Sequence, residues 1–256
     1  MSTLFISDLH LQSERPHITR AFYAFLDQHA SQADALYILG DFFNAWLGDD
    51  DQTALTLEVA SQLKNLSARG TPVYLMHGNR DFLIGKRFCR QAGAKLLPDP
   101  TVIDLYGTPA LLMHGDSLCL DDTSYQRYRR IIRSPLIRLL PHLLPLSLRQ
   151  RIASNIRNQS GKAKNHKSAR IMDVTPDEAA RQLQAHNLSL LIHGHTHRPA
   201  IHRQPQPTQD PQRIVLGDWD NLGWYLQWHQ DGQHQLVSFS IPELEAPEPP
   251  PRSTPG

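Results

Sequence analysis

Short apolar runs alternate with amphipathic stretches through the first 120 residues of the chain. Runs at 4–7, 35–39, 73–76, 102–105 and 110–113 read as strands, and stretches near 17–30, 52–69 and 82–92 read as helices. This alternation predicts an α/β sheet protein. A further helix–strand unit spans about 175–193, where Thr175, Pro176 and Glu178 predict an N-cap, a first-turn proline and a capping-box acid. The strand of that unit is 188–192. Beyond it, 214–216, 224–228 and 236–241 read as antiparallel strands, the last two joined around Asp231-Gly232.

Residues 121–170 interrupt the pattern. Ile131-Ile132, Leu136-Ile137, Leu139-Leu140, Leu143-Leu144 and Leu146 are interleaved with arginines and broken by Pro135, Pro141 and Pro145. A helical insertion whose leucines form a small core is expected there. The end, 242–256, is rich in proline and acidic residues and is expected to lack fixed structure. The organisation expected is therefore one domain over 1–241, carrying the insertion 121–170, followed by a tail.

Composition adds one asymmetry. The 256 residues have a formal net charge of +1, yet twelve of the 26 Lys and Arg fall within 125–170, which holds no Asp or Glu. A local site for an anionic partner is implied, not a generally basic protein. The length suits one α/β domain with an inserted cap. Only Cys89 and Cys119 are present, without metal-type spacing, so a reducing compartment is expected. A strand begins almost at the N-terminus, which leaves no room for a signal peptide, and no apolar run approaches the roughly 20 residues of a membrane span. These features predict a soluble, cytosolic chain.

Five motifs follow apolar runs in order: Asp8-Leu9-His10, Gly40-Asp41, Gly78-Asn79-Arg80-Asp81, His114-Gly115-Asp116 and Gly194-His195-Thr196-His197. Each has an ordinary reading. Asp-x-His occurs by chance, Gly-Asp and Gly-Asn after a strand are common turns, and a lone His114 is more often a satisfied core histidine. If Asp8 and His10 lie in a regular strand, i and i+2 face one way and can reach one ion. Gly194-His195-Thr196-His197 is the strongest piece, since the glycine lets the backbone approach and two imidazoles follow. Taken together, the motifs supply carboxylates, imidazoles and an amide in the mix that two adjacent divalent ions need, which predicts a dinuclear metallohydrolase.

The ordered set resembles the calcineurin-like metallophosphoesterase superfamily over residues 8–197. That resemblance implies a four-layer α/β/β/α sandwich. It also implies one ion held by Asp8, His10 and His197, another by Asn79, His114 and His195, and Asp41 bridging them. Two ions about 3.5–4 Å apart polarise a phosphoryl oxygen and activate water. Mixed oxygen and nitrogen donors suit Mn²⁺ or Fe²⁺, with Mn²⁺ the expected metal.

One position narrows the choice. Many members of the superfamily have histidine after Gly-Asn, whereas this chain has Arg80, which stays charged and cannot donate a proton in practice. An arginine that stabilises phosphate charge suits a pyrophosphate, whose leaving group needs little protonation. The strings 5–11, 40–50, 78–83, 193–199 and 216–219 resemble, within that superfamily, the UDP-2,3-diacylglucosamine pyrophosphatase family of lipid A synthesis. The resemblance implies catalytic roles for Arg80 and Asp41, products UMP and 2,3-diacylglucosamine 1-phosphate, and a cap that seats two acyl chains. Asn79, Arg80, Asp122, Ser160, Lys164, Lys167 and His195 would contact the substrate. A monomer at the cytoplasmic face of the inner membrane is expected, with the cap's basic residues facing phosphate or anionic lipid. Three alternatives remain: a hydrolase of a small soluble nucleotide, a nuclease using the basic segment, and a scaffold without metals. A leucine-rich lid argues against the first. The segment has only Tyr125 and Tyr128 as aromatics, which argues against nucleic acid as partner. The full ligand set argues against the third.

Overall fold

The structure is a computed structural model that describes residues 1–134, 143–152, 173–203 and 211–241. The tail 242–256 and much of the insertion lie outside these residues. A six-stranded sheet has the order β11-β10-β1-β2-β3-β4, and a five-stranded sheet the order β5-β6-β7-β9-β8. In the first sheet, β1 (Ser2–Ile6), β2 (Ala35–Leu39), β3 (Val73–Met76) and β4 (Ala94–Leu97) run parallel. They are connected through α1 (Pro16–Gln28), α2 (Ala54–Ala68) and α3 (Lys86–Gln91), and β10 (Leu222–His229) and β11 (His234–Ser240) add antiparallel beside β1. In the second sheet β5 (Thr101–Leu105) and β6 (Thr108–Met113) form a hairpin, and β6, β7 (Leu190–His193) and β9 (Gln212–Val215) are parallel.

β1 is buried along its whole length because it is covered on both faces, which is why its Leu4-Phe5-Ile6 segment reads as an uninterrupted apolar run. Leu4 and Ile6 pack under the helices with Leu36, Ile38, Phe22 and Leu63. Phe5, Leu39 and Met76 point the other way and meet Leu112, Ile192 and Ile214 of the second sheet. The far face of that sheet, at Leu111, Met113 and Leu191, is covered by Ala179 and Leu183 of α5 (Pro176–Ala185). Helices, sheet, sheet and helix thus form the expected α/β/β/α sandwich.

Several expectations are corrected. The strand expected at 214–216 belongs to the second sheet beside β7, running parallel to it, not antiparallel to β10 and β11. The short strands β4 and β8 (Ala200–Arg203) are absent from the sequence reading because both are edge strands of four residues carrying polar side chains. Helix 82–92 shrinks to α3 because Asp49, arriving from the loop after β2, accepts from the backbone N–H groups of Gly85, Arg87 and Phe88 at 2.8, 2.9 and 3.1 Å. A carboxylate there satisfies the orphan donors of the first turn, so the helix starts at that point. The capping box at Thr175 does not form. Its hydroxyl accepts from Leu120 N, and Glu178 pairs with Arg181 and Gln182.

Trp219, just after β9, is 1% exposed and sits among Phe25, Phe22 and Phe239 with ring centroids 5.6, 6.4 and 5.2 Å away. Its indole donates to Trp224 O at 2.9 Å. Trp219→Ala is expected to lose about 3–5 kcal/mol of stability in urea unfolding. A loss below about 1 kcal/mol would show that this aromatic cluster repacks without it.

Candidate metal centre

Each candidate site residue stands just past the carboxyl end of a strand: Asp8 and His10 after β1, Asp41 after β2, Asn79 and Arg80 after β3, His114 after β6, His195 and His197 after β7. Because β1 to β3 are parallel neighbours, as are β6 and β7, these loops converge at one end of the sandwich. The backbone there is left-handed at Asp8 (φ 56°), His10 (50°), Asp41 (48°), His195 (71°) and His197 (56°). This corrects the argument from strand alternation. Asp8 and His10 converge because each leaves the extended conformation, at a cost of about 1–3 kcal/mol per residue that the surroundings must enforce.

The enforcing contacts are visible. Asp8 N donates to Gly40 O, His10 N to Asp41 O and Leu11 N to Phe42 O at 3.1, 3.0 and 2.9 Å, so the first two loops stay paired beyond their strands. Asp81, buried and not among the expected site residues, accepts from Phe42 N at 2.8 Å and Gly78 N at 2.7 Å, tying the second loop to the third. Gly78 and Gly194 are required by close approach. A Cβ on Gly78 would collide with the Asp41 backbone and carboxylate, and one on Gly194 with Ser7 and the Asp8 carboxylate.

Two donor groups result, Asp8 with His10 and His197, and Asp41 with His114 and His195; within each group the donor atoms lie within 4.8 Å of one another. His10 Nε2 and His197 Nε2 are 3.4 Å apart, and His197 Nε2 is 3.4 Å from Asp8 Oδ1. Asn79 Oδ1 joins the second group, 3.1 Å from His114 Nε2. Asp41 lies between the groups, with Oδ1 3.8 Å from His114 Nε2 and Oδ2 4.0 Å from His10 Nδ1. Asp8 Oδ1 and His10 Nδ1 are buried without an aligned hydrogen-bond partner. Orphaned buried donors and acceptors of this kind, in a mixed oxygen and nitrogen set, fit divalent cations.

Electrostatics favour positive charge here. Burial opposes ionisation of Asp8, but contact with His197 and the nearby His114 and His10 hold its carboxyl far below the usual carboxylate range. Asp41 moves upward because it is buried and because Asp8 and Asp81 are close, more than His114 offsets. Burial lowers His10 to about 3 and His195 to about 4, leaving neutral imidazoles. His197 rises to about 10 despite burial because it hydrogen-bonds Asp218 and Asp8. Its Nδ1 is 3.1 Å from Asp218 Oδ2, while Trp219 N donates to Asp8 O at 3.1 Å. Asp218 thus orients a candidate ligand. It stands in the string 216–219, but no spacing signal gives it this role, since only the sheet pairing brings the loop after β9 beside the loop after β7.

Arg80 Nε lies 3.7 Å from Asp41 Oδ2, the Arg80 backbone N–H donates to Asp41 Oδ1 at 2.9 Å, and its guanidinium donates to Asn44 Oδ1 at 2.7 Å. Asp122 caps α4 (Thr123–Ile132), accepting from Tyr125 N at 3.0 Å and from Ser124 Oγ. Tyr125 reaches the site, its ring 5.9 Å from that of His195. Ser160, Lys164 and Lys167 lie outside the described residues.

The insertion's basic residues are not all free to meet an anion, which corrects that expectation. Buried Asp116, two residues after His114, receives Arg129 Nε at 2.8 Å, Arg133 at 3.1 Å and the Tyr125 hydroxyl at 2.9 Å. Arg133 also meets Asp99 at 3.5 Å and donates to Gly78 O at 3.3 Å. Arg149 pairs with Asp50 and donates to Leu47 O. These arginines fasten the insertion to the sandwich.

The chain matches the family model for calcineurin-like phosphoesterases over residues 1–199. It is 55% identical over 235 residues to a protein of Pseudomonas aeruginosa, covering 92% of this chain and 98% of that one. It is 53% identical over 241 residues to one of Azotobacter vinelandii (94% and 100%) and 55% identical over 227 residues to one of Marinobacter nauticus (89% and 93%). Each of these relatives carries the name UDP-2,3-diacylglucosamine hydrolase.

Asp218→Ala is expected to weaken the affinity for the divalent ion that His197 would hold by about 10–100-fold, since removing a carboxylate that orients a ligating imidazole has that order of effect. Metal titration followed by calorimetry tests it; unchanged affinity would leave Asp218 no part in orienting His197.

Proposed function

The chain belongs to the calcineurin-like phosphoesterase family, and on that premise we propose that it hydrolyses the pyrophosphate bond of UDP-2,3-diacylglucosamine in lipid A biosynthesis. The products are UMP and 2,3-diacylglucosamine 1-phosphate. The observation that carries this reading is 51–55% identity, over most of the chain, to hydrolases named for that substrate, in a protein whose donor set is intact.

Asp8, His10 and His197 would hold one divalent ion and Asn79, His114 and His195 the other, with Asp41 shared. The ions supply Lewis acidity toward phosphoryl oxygen and activation of water. Mn²⁺ is the metal this oxygen and nitrogen set favours. The remaining work belongs to the chain. His114 Nδ1 hydrogen-bonds Leu39 O at 2.8 Å, which fixes the ring so that Nε2 faces Asp41 and Asn79. Arg80, held by Asn44 and Asp41, presents a permanent positive charge to the diphosphate. It offsets the negative charge that develops on the departing phosphomonoester, and no proton donor is needed for that leaving group. Asp122 and Tyr125 at the start of α4 bring the insertion against the substrate, and Ser160, Lys164 and Lys167 complete its contacts with the glucosamine phosphate.

Ile131, Leu143, Leu148 and Ile152 are exposed on the insertion. Apolar side chains beside arginines suit a protein acting as a monomer, peripherally, at the cytoplasmic face of the inner membrane, where a diacylated substrate resides. A nucleic-acid track is disfavoured, because Arg129, Arg133 and Arg149 are engaged by Asp116, Asp99 and Asp50.

Hydrolysis of UDP-2,3-diacylglucosamine with Mn²⁺ in ¹⁸O-labelled water is expected to place label in UMP, read by mass spectrometry of both products. Label in the lipid phosphate would reverse the direction of attack, and no turnover beside brisk cleavage of a soluble nucleotide would overturn the lipid assignment. Arg80→Ala is expected to keep both ions while kcat falls about 10²–10³-fold, the usual effect of removing one charge-stabilising donor. Loss of metal in that variant would make Arg80 structural instead.

A further inference from the structure

A cavity of about 190 Å³ opens beside the metal centre, lined by Asp173, Thr196, Arg198, His202, Arg213 and Val215 among others. It reaches the centre at Thr196, whose neighbours in sequence are His195 and His197. Four features mark it as a built site with polar groups in its lining. Thr196 Oγ1 is buried and has no hydrogen-bond partner. Arg213, on β9, receives its orientation from His193, a wholly buried histidine that the chemistry above does not use. His193 donates from Nδ1 to Gly194 O at 2.8 Å, so its Nε2 is the acceptor for Arg213 at 3.2 Å. Arg198 is paired with Asp173, the first described residue after the insertion. Across the strands His202 is directly opposite Arg213.

The position of the cavity in the sandwich matters as much as its lining. Arg80 and the anchored start of the insertion stand on the side of β3, β4 and β6, through Gly78, Asp99 and Asp116. The cavity stands on the side of β8 and β9, and β7, whose following loop carries His195 and His197, lies between β9 and β6. A substrate whose lipid phosphate lies at Arg80 therefore extends its other half toward the cavity. That half is a nucleoside. The cavity is smaller than the roughly 300–1,000 Å³ of a site for a whole drug-sized ligand, so it takes a ring system and not the whole substrate. Its lining alternates charged side chains with Pro199, Ala200 and Val215 and offers no continuous apolar groove for an acyl chain. Uracil and ribose offer carbonyl acceptors, an imide N–H and hydroxyls, which the guanidiniums, the threonine hydroxyl, the imidazole and the Asp173 carboxylate can match, and a guanidinium can also stack on the base.

We propose that this cavity is the uridine subsite, with Arg213, His202 and Thr196 contacting the nucleoside and His193 serving as a positioning residue for Arg213. The assignment rests on the proposed function, whose own failure is read separately below.

The test measures inhibition of the Mn²⁺-loaded enzyme by UMP and by inorganic phosphate, in the wild type and in Arg213→Ala. Phosphate engages the metal centre alone, whereas UMP engages both places. Inhibition by UMP is expected to weaken about tenfold or more, with inhibition by phosphate unchanged, as befits loss of a charged hydrogen bond to the nucleoside. UMP and phosphate weakening together would mean that Arg213 supports the metal centre only, and no change in either would mean that the cavity is not used; both results overturn the subsite. His202→Ala gives the same reading should Arg213→Ala fail to fold. Turnover of UDP-2,3-diacylglucosamine by the wild type is followed in the same preparation. Its absence overturns the proposed function, whereas turnover with unaltered UMP inhibition in both variants overturns the subsite alone.

Discussion

Two carboxylates, Asp8 and Asp41, are buried close together at the end of the sandwich, and the rest of the centre answers the problem they pose. A buried carboxylate is costly unless paired, and two neighbours oppose each other's ionisation. Asp81 adds a third acid behind them. Four imidazoles from three loops surround the pair, and two of them, His114 and His197, are drawn toward protonation by the negative charge. Divalent cations between these groups meet the same demand more completely. The left-handed turns at Asp8, His10, Asp41, His195 and His197 bring the donors to that point, and pairing between the loops holds the turns.

The same economy of charge ties the insertion to the centre. Asp116 follows a candidate ligand by two residues and is wholly buried, a position tenable because Arg133 and Arg129 overcome the cost of burial and keep it ionised. Arg133 also touches the carbonyl of Gly78, the residue before Asn79 and Arg80. Thus α4 is fastened to two of the loops that form the site, and the elements around the metal centre hold positions that depend on one another. Basic residues that look in sequence like an anion-binding surface serve partly as this fastening.

The layered fold was legible from residues 4–113 because strands covered on both faces leave uninterrupted apolar runs, and helices between them keep a single apolar stripe. Polar edge strands such as 94–97 and 200–203 leave no such trace. The donors were legible because each follows a strand end in a recognisable short motif, although the reason Asp8 and His10 converge is left-handed backbone, which no spacing rule discloses. Asp218 and Asp116 stand in recognisable strings, but their roles stayed hidden for a different reason. Their partners lie 21 and 13–17 residues away along the chain, and the contacts exist only once sheet pairing and helix docking have been made. Local pattern reveals what a loop offers; it does not reveal which distant charge steadies it.

The central claim is that one carboxylate serves two metal ions. Counting bound Mn²⁺ in wild type and Asp41→Ala, by equilibrium titration with elemental analysis, tests it most directly. The account predicts two ions per chain in the wild type, and loss of tight binding at both positions in the variant, with activity lost in parallel. An Asp41→Ala protein that binds two ions with wild-type affinity would contradict the shared-ligand arrangement.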